Sequence, residues 1–264
     1  CKRKQAAGDG LVFSLLTVLL LFLTCSSLSA QDLAKARELE KAGDRERALA
    51  QYEEWLKKNQ GAPDYFSVLL HTADIVEDQQ RALTLLREAQ GRAKGEERRA
   101  VLLKLASLSE MLGLIDEAAL AYYNAFFVVP PTEDYGMILK AAHLYVELGD
   151  YPKARSIGKI VLTASQNPRY RAQAAVLLSR IHLVEDETDE AVELVLPLLD
   201  LKGIGPDTLL WAHALGYYAG NKGLEDRAFI LLKQDYPDSM ELAILIQGVK
   251  SYPTPLNSLG VLPP

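Results

Sequence analysis

The chain has 264 residues, 49% of them hydrophobic, with 29 Lys and Arg against 35 Asp and Glu for a net charge of −6. That apolar content suits a packed core and excludes a disordered chain, while the acidic balance disfavours nucleic acid or an anionic lipid surface as the natural partner. Both cysteines, Cys1 and Cys25, fall within the first thirty residues, so the remainder must be stabilised by packing rather than by disulfides.

The N-terminal thirty residues differ in kind from the rest. Lys2, Arg3 and Lys4 precede the apolar run Leu11 to Leu23, which gives way to Thr24-Cys-Ser-Ser-Leu-Ser-Ala30. A basic, then apolar, then small and polar order predicts a secretory signal peptide over 1–30. The apolar run is shorter than the roughly 20 residues that span a bilayer, which favours cleavage over an anchor. Two processing chemistries compete. Cleavage after Ala30 leaves Gln31 as the mature terminus, whereas lipidation of Cys25 leaves an acylated terminus, with Phe22 and Thr24 departing from the small-residue pattern of a lipobox. An uncleaved anchor is the third outcome. Membrane association, where it exists, is expected through this segment.

From there the chain repeats. Ala48, Ala82, Ala118, Ala154, Ala191 and Ala228 are separated by 34, 36, 36, 37 and 37 residues. A period in the mid-thirties on helix-forming sequence predicts stacked helical hairpins, none able to bury its apolar face alone. Five residues before the alanine stand Gly43, Glu77, Gly113, Gly149, Asp186 and Gly223; the glycines are expected to close the first helix in the left-handed conformation. Twelve before it stand Ala36, Leu70, Ala106, Ala142, Ser179 and Gly216, mostly small, so the two helices of each hairpin can approach closely. The copies Ala142-His-Leu-Tyr145 with Gly149-Asp-Tyr-Pro-Lys-Ala154, and Leu105-Ala106 with Gly113-Leu-Ile-Asp-Glu-Ala118 followed by Tyr122, Ala125 and Pro130, resemble the tetratricopeptide repeat family over about 32–234.

That resemblance implies an all-α, right-handed superhelical solenoid of about six helical hairpins. Asp238 and Glu241 are spaced as an N-cap and its reciprocal partner, which predicts a C-terminal capping helix over 240–250. The array is expected to occupy 31–250. Four prolines in 251–264 prevent helix there and predict a tail or linker.

In such arrays the first helix of each hairpin lines the concave face, where ligands lie. Eleven residues before each alanine stand Arg37, His71, Ser107, His143, Arg180 and Tyr217, and fifteen before it Leu33, Ser67, Leu103, Leu139, Val176 and His213. Together they predict a groove with an apolar strip at Leu103, Leu139 and Val176, flanked by His143, Arg180 and Tyr217, that takes an extended peptide or an amphipathic helix. The family's lysine- and asparagine-based carboxylate clamp is not expected, because this column has no asparagine.

Four histidines, His71, His143, His182 and His213, are too far apart in sequence to predict a metal site. No phosphate loop, nucleophile elbow or His-Glu-His helix motif predicts a cofactor or an enzyme. The acidic run Glu185–Glu190 is expected to be a solvated turn at a helix N-terminus. The resulting expectation is a protein–protein interaction scaffold of a bacterial cell envelope, with no cofactor. A lipidated structural subunit anchored through Cys25 is the alternative, and a cell-wall-active enzyme is a third.

Overall fold

Helix, turn, helix recurs along the chain in a computed structural model that describes residues 31–129 and 135–247. The expected signal peptide, Cys25 and the proline-rich segment lie outside the described residues. Six helix pairs follow one another: α1 (31–41) with α2 (Arg45–Lys58), α3 (Tyr65–Ile75) with α4 (Gln79–Arg92), α5 (Gly95–Met111) with α6 (Ile115–Phe127), α7 (Gly136–Glu147) with α8 (Tyr151–Ala164), α9 (Pro168–Val184) with α10 (Thr188–Val195), and α11 (Pro206–Tyr218) with α12 (Lys222–Asp235). A short α13 (Met240–Ile246) follows. Among the described residues there is no strand, and no helix is long and apolar enough to cross a membrane. The chain forms two compact units, one ending at Ala93 and the other beginning at Lys94.

The hairpin turns follow from single residues. In the fourth pair, Gly149 sits at φ 74°, its N–H donates to the Val146 carbonyl at 2.9 Å, and the Asp150 N–H reaches back to Tyr145 at 2.8 Å. These bonds satisfy carbonyls that the end of α7 would otherwise leave unpaired. The Asp150 carboxylate then accepts from the Lys153 N–H at 3.2 Å and caps α8. Asp186 takes the glycine role in the fifth pair at φ 61°, a conformation acidic and amide residues tolerate better than most. The second pair departs from the expectation. Glu77 has no positive φ; α3 ends on Val76 in extended conformation, and Asp78 caps α4 by accepting from the Gln80 and Arg81 N–H groups.

The sixth pair corrects the sequence register. Its left-handed residue is Gly220, at φ 64°, not Gly223, which lies inside α12. The Asn221 N–H donates to the Gly216 carbonyl at 2.8 Å, and the Asn221 side chain accepts from the Leu224 N–H at 3.0 Å, repeating the Asp150 pattern. The turn thus falls three residues earlier than expected. His213 takes the place of Ala142, Glu225 that of Ala154, and Ala214 that of His143.

All six ladder alanines are buried all the same. Ala228 stays in the core because it is one helical turn beyond Glu225 on the same face of α12. Ala36, Ala106, Ala142 and Ser179 are fully buried at their seams, whereas Leu70 is half-buried and its neighbour Leu69 faces the core. At the far end α10 passes into a 3₁₀ turn, Leu196–Asp200, where Pro197 withholds the N–H a continuing α-helix would use. The cap of α13 is Ser239, whose hydroxyl accepts from the Leu242 N–H at 3.2 Å, rather than Asp238. Leu242 packs into the terminal core with Leu215, Leu224 and Leu232, while Met240 and Ile246 stay exposed.

The register makes a clear prediction. A Cβ on Gly216 would sit 2.5 Å from the Glu225 backbone nitrogen, whereas one on Gly223 meets only the Asn221 side chain at 3.5 Å. Gly216→Ala should therefore lower stability by about 1–3 kcal/mol through overpacking. Gly223→Ala should leave it unchanged or raise it by up to about 1 kcal/mol through helix propensity. Urea midpoints of the two variants check this; equal losses would restore the register read from the alanines.

Candidate functional site

A groove of about 510 Å³ runs between α7 and the start of α9. Its α7 wall is one face of that helix, with Gly136, Leu139, Lys140 and His143 at helical spacing. The opposite wall is Asn167, Arg169, Tyr170 and Gln173. Local sequence sets that second wall. Pro168 opens α9 at its first position, where a missing N–H costs nothing. The Asn167 side chain accepts from the Arg169 N–H at 2.9 Å, and the Ser165 hydroxyl accepts from the Asn167 N–H at 3.2 Å. The Tyr170 ring leans on Tyr135 with centroids 6.2 Å apart, and Tyr135 in turn on Phe126 at 5.5 Å.

Of the residues expected in a groove, Leu139 and His143 line this one, but Leu103, Val176, Arg180 and Tyr217 do not. The apolar strip is less open than the sequence suggested: Leu139 is 3% exposed and Val176 9%, so both belong largely to the interhelix core, and Leu103 is half-buried. Tyr217 is exposed on α11 beside Tyr218, and under the corrected register it corresponds to Val146 rather than to His143.

His143 is the unusual group. Its Nδ1 is enclosed without a hydrogen-bond partner. Burial, with the Arg180 charge adding to it, pushes the imidazole from its ordinary 6.5 down to about 4, so it is neutral at physiological pH. Burial also draws Arg180 down to about 10, with the Asp207 carboxylate opposing, so Arg180 keeps its charge. The guanidinium lies 4.5 Å from the Trp211 ring centroid. The Trp211 indole N–H donates to the Ser179 hydroxyl at 2.7 Å, which anchors α11 to α9.

Lys140 is already engaged. It bonds Glu110 at 2.7 Å and lies over the Tyr122 ring at 4.9 Å, and the Tyr122 hydroxyl donates to the same carboxylate at 3.1 Å. The first pair of hairpins repeats the device. The Tyr52 hydroxyl donates to Glu40 at 2.8 Å, and His71 Nε2 meets that carboxylate at 2.8 Å. Sequence reasoning missed this link from a tyrosine through a carboxylate to a nitrogen of the next helix, although the twelve-residue spacing of Glu40 to Tyr52 and of Glu110 to Tyr122 carries it.

The acidic run forms the α9–α10 turn. His182 Nδ1 bonds Glu187 at 2.6 Å and Arg155 pairs with Glu185. One ligand atom each of His182, Glu185 and Glu187 falls within 4.8 Å of the others, and one of the two carboxylates is already paired with Arg155.

Helix pairs of this length, with small residues at the seams and left-handed turn residues, define an all-α helical-repeat protein. Residues 33–84 match the family model described as tetratricopeptide repeat. The chain is similar to a tetratricopeptide repeat protein from Parabacteroides merdae (17% identity, TM-score 0.50, covering 84% of this chain and 85% of that one). It is also similar to PilW, a widely conserved type IV pilus biogenesis factor (19% identity, TM-score 0.47, 83% and 98%), and to YrrB, a TPR protein with an unusual peptide-binding site (14% identity, TM-score 0.49, 74% and 97%). At these identities the likeness concerns fold alone. No curated protein matches the chain.

The His143 geometry fixes a pH dependence. The unfolded chain binds a proton at His143 below its ordinary 6.5, whereas the folded chain resists doing so until about 4. Stability due to this site is therefore complete above the unfolded value and falls as pH drops between the two, by up to about 1.4 kcal/mol per pH unit. His143→Gln should flatten the stability profile across that window. An NMR titration of the wild-type imidazole with its midpoint near the ordinary value would sink this reading.

Proposed function

We infer that the protein is a non-catalytic interaction scaffold that holds a segment of a partner protein in the α7–α9 groove. The observation that carries this is the groove itself: an apolar floor at Leu139, an aromatic wall at Tyr170, and hydrogen-bonding side chains at Asn167, Arg169 and Gln173 within one concavity. Ligand sites combine an apolar surface with a few convergent polar groups in this way. The match of residues 33–84 to the tetratricopeptide repeat model supports a protein or peptide as ligand.

A bacterial envelope is the proposed setting, on the strength of the basic, apolar and small-polar order of residues 1–30. Intact mass of the protein from its native host, with fractionation, tests it. A mature chain beginning at Gln31 in the soluble envelope fraction supports a free scaffold, one beginning at acylated Cys25 a tethered subunit, and an unprocessed cytosolic chain refutes export.

The groove is tested by placing a photo-crosslinking residue at Gln173 or, as a control on α8, at Lys159, both in host envelope extract. A discrete adduct should form from position 173 and not from 159, and Arg169→Glu should reduce it at least fivefold. Arg169 is exposed, so the variant keeps the fold, whereas a charge at buried Leu139 would unfold it. Equal adducts from both positions would place binding elsewhere.

A further inference from the structure

Among the described residues, the lining of the groove is opposite in sign to the chain that carries it. The protein has a net charge of −6, yet among the described residues no Asp or Glu lines the concavity, while Lys140 and Arg169 do. Glu110 pairs with Lys140 from outside the lining. Arg169 enters no ion pair among the described residues and is exposed at the rim. Charge more than about 8 Å away is screened at physiological ionic strength, so a ligand in the groove meets this local field rather than the acidic whole.

His143 adds direction. With Nδ1 enclosed and unpartnered, the neutral ring keeps its proton on Nε2, because an orphaned N–H is rarer in proteins than an orphaned acceptor. The residue thus brings a donor, not an acceptor, to the groove it lines. The Asn167 side-chain oxygen is occupied by the Arg169 N–H. The polar groups left for a ligand are mostly donors.

Resting on the groove reading above, we propose that the occupant is an acidic peptide segment: an Asp or Glu carboxylate lies between Arg169 and His143, and an adjacent apolar side chain packs over Leu139 against the Tyr170 ring. The carboxylate is a side chain in mid-segment, held by a guanidinium and an imidazole.

The test uses the full chain and three pools of N-acetylated, C-amidated nonapeptides. All pools are built from Leu, Phe, Ala and Gly, with Asp and Glu in the first, Asn and Gln in the second, and Lys and Arg in the third; blocked ends remove terminal charges. Retention on immobilised protein should favour the acidic pool at least tenfold over the amide pool, with the basic pool weakest. Arg169→Glu should abolish that preference and Arg169→Lys should keep most of it. Equal retention of acidic and amide pools, both crosslinking at position 173, overturns the acidic assignment and leaves the groove standing. Failure of every pool to crosslink at 173 overturns both. An acidic preference that survives Arg169→Glu also overturns the proposal.

Discussion

Where α11 meets α12 the two helix backbones approach until only a hydrogen fits between them, and small residues hold the same seam in most other hairpins. Ala142 is fully buried on α7, and Gly216 faces the Glu225 backbone so closely that even a Cβ would collide. Gly158 makes room for a side chain of the next hairpin instead, where an added Cβ would lie 2.9 Å from the Leu178 side chain. Close packing of that kind forgoes large side chains at the contact and recovers their burial on either side, where Leu102, Ile138, Ile157 and Leu177 are almost wholly enclosed. Fixing the helix spacing also fixes where the outer residues of α7 and α9 stand, and the groove is the space those residues enclose.

Much of this was legible because it is periodic. The alanine ladder and the glycines at 43, 113 and 149 specify both helices and the turn between them at once. The sixth hairpin was misread for a definite reason. Gly220 and Gly223 are both plausible turn residues, and Ala228 lies on the same buried face as Glu225, so burial pattern alone could not separate two registers three residues apart. The left-handed Gly220 and the backbone bond from Asn221 to Gly216 decide between them. The second turn escaped because Asp78 closes the hairpin by capping, with no left-handed residue to leave a sequence mark.

The site was legible in part. Column arithmetic found Leu139 and His143, since these belong to the repeating face of α7. It missed Asn167, Tyr170 and Gln173, which are placed by the Ser165-Gln-Asn167-Pro168 junction rather than by the repeat. Arg180 was recognised as a cation, but its position over Trp211 depends on the neighbouring hairpin and has no local signature. The enclosed Nδ1 of His143 likewise arises from what packs around it.

The stacking of Arg180 on Trp211 gives the protein an optical label of its own. The chain has only two tryptophans, and Trp55 belongs to the other compact unit, where it is buried beside Tyr65. Indole emission responds to nearby charge and to the hydrogen bond at its nitrogen, and Trp211 takes both, from Arg180 and Ser179 of α9, the helix whose first turns form the groove wall. With Trp55 replaced by phenylalanine, the remaining fluorescence would come from a single ring, so any shift of α9 relative to α11 could be followed in solution without attaching a dye.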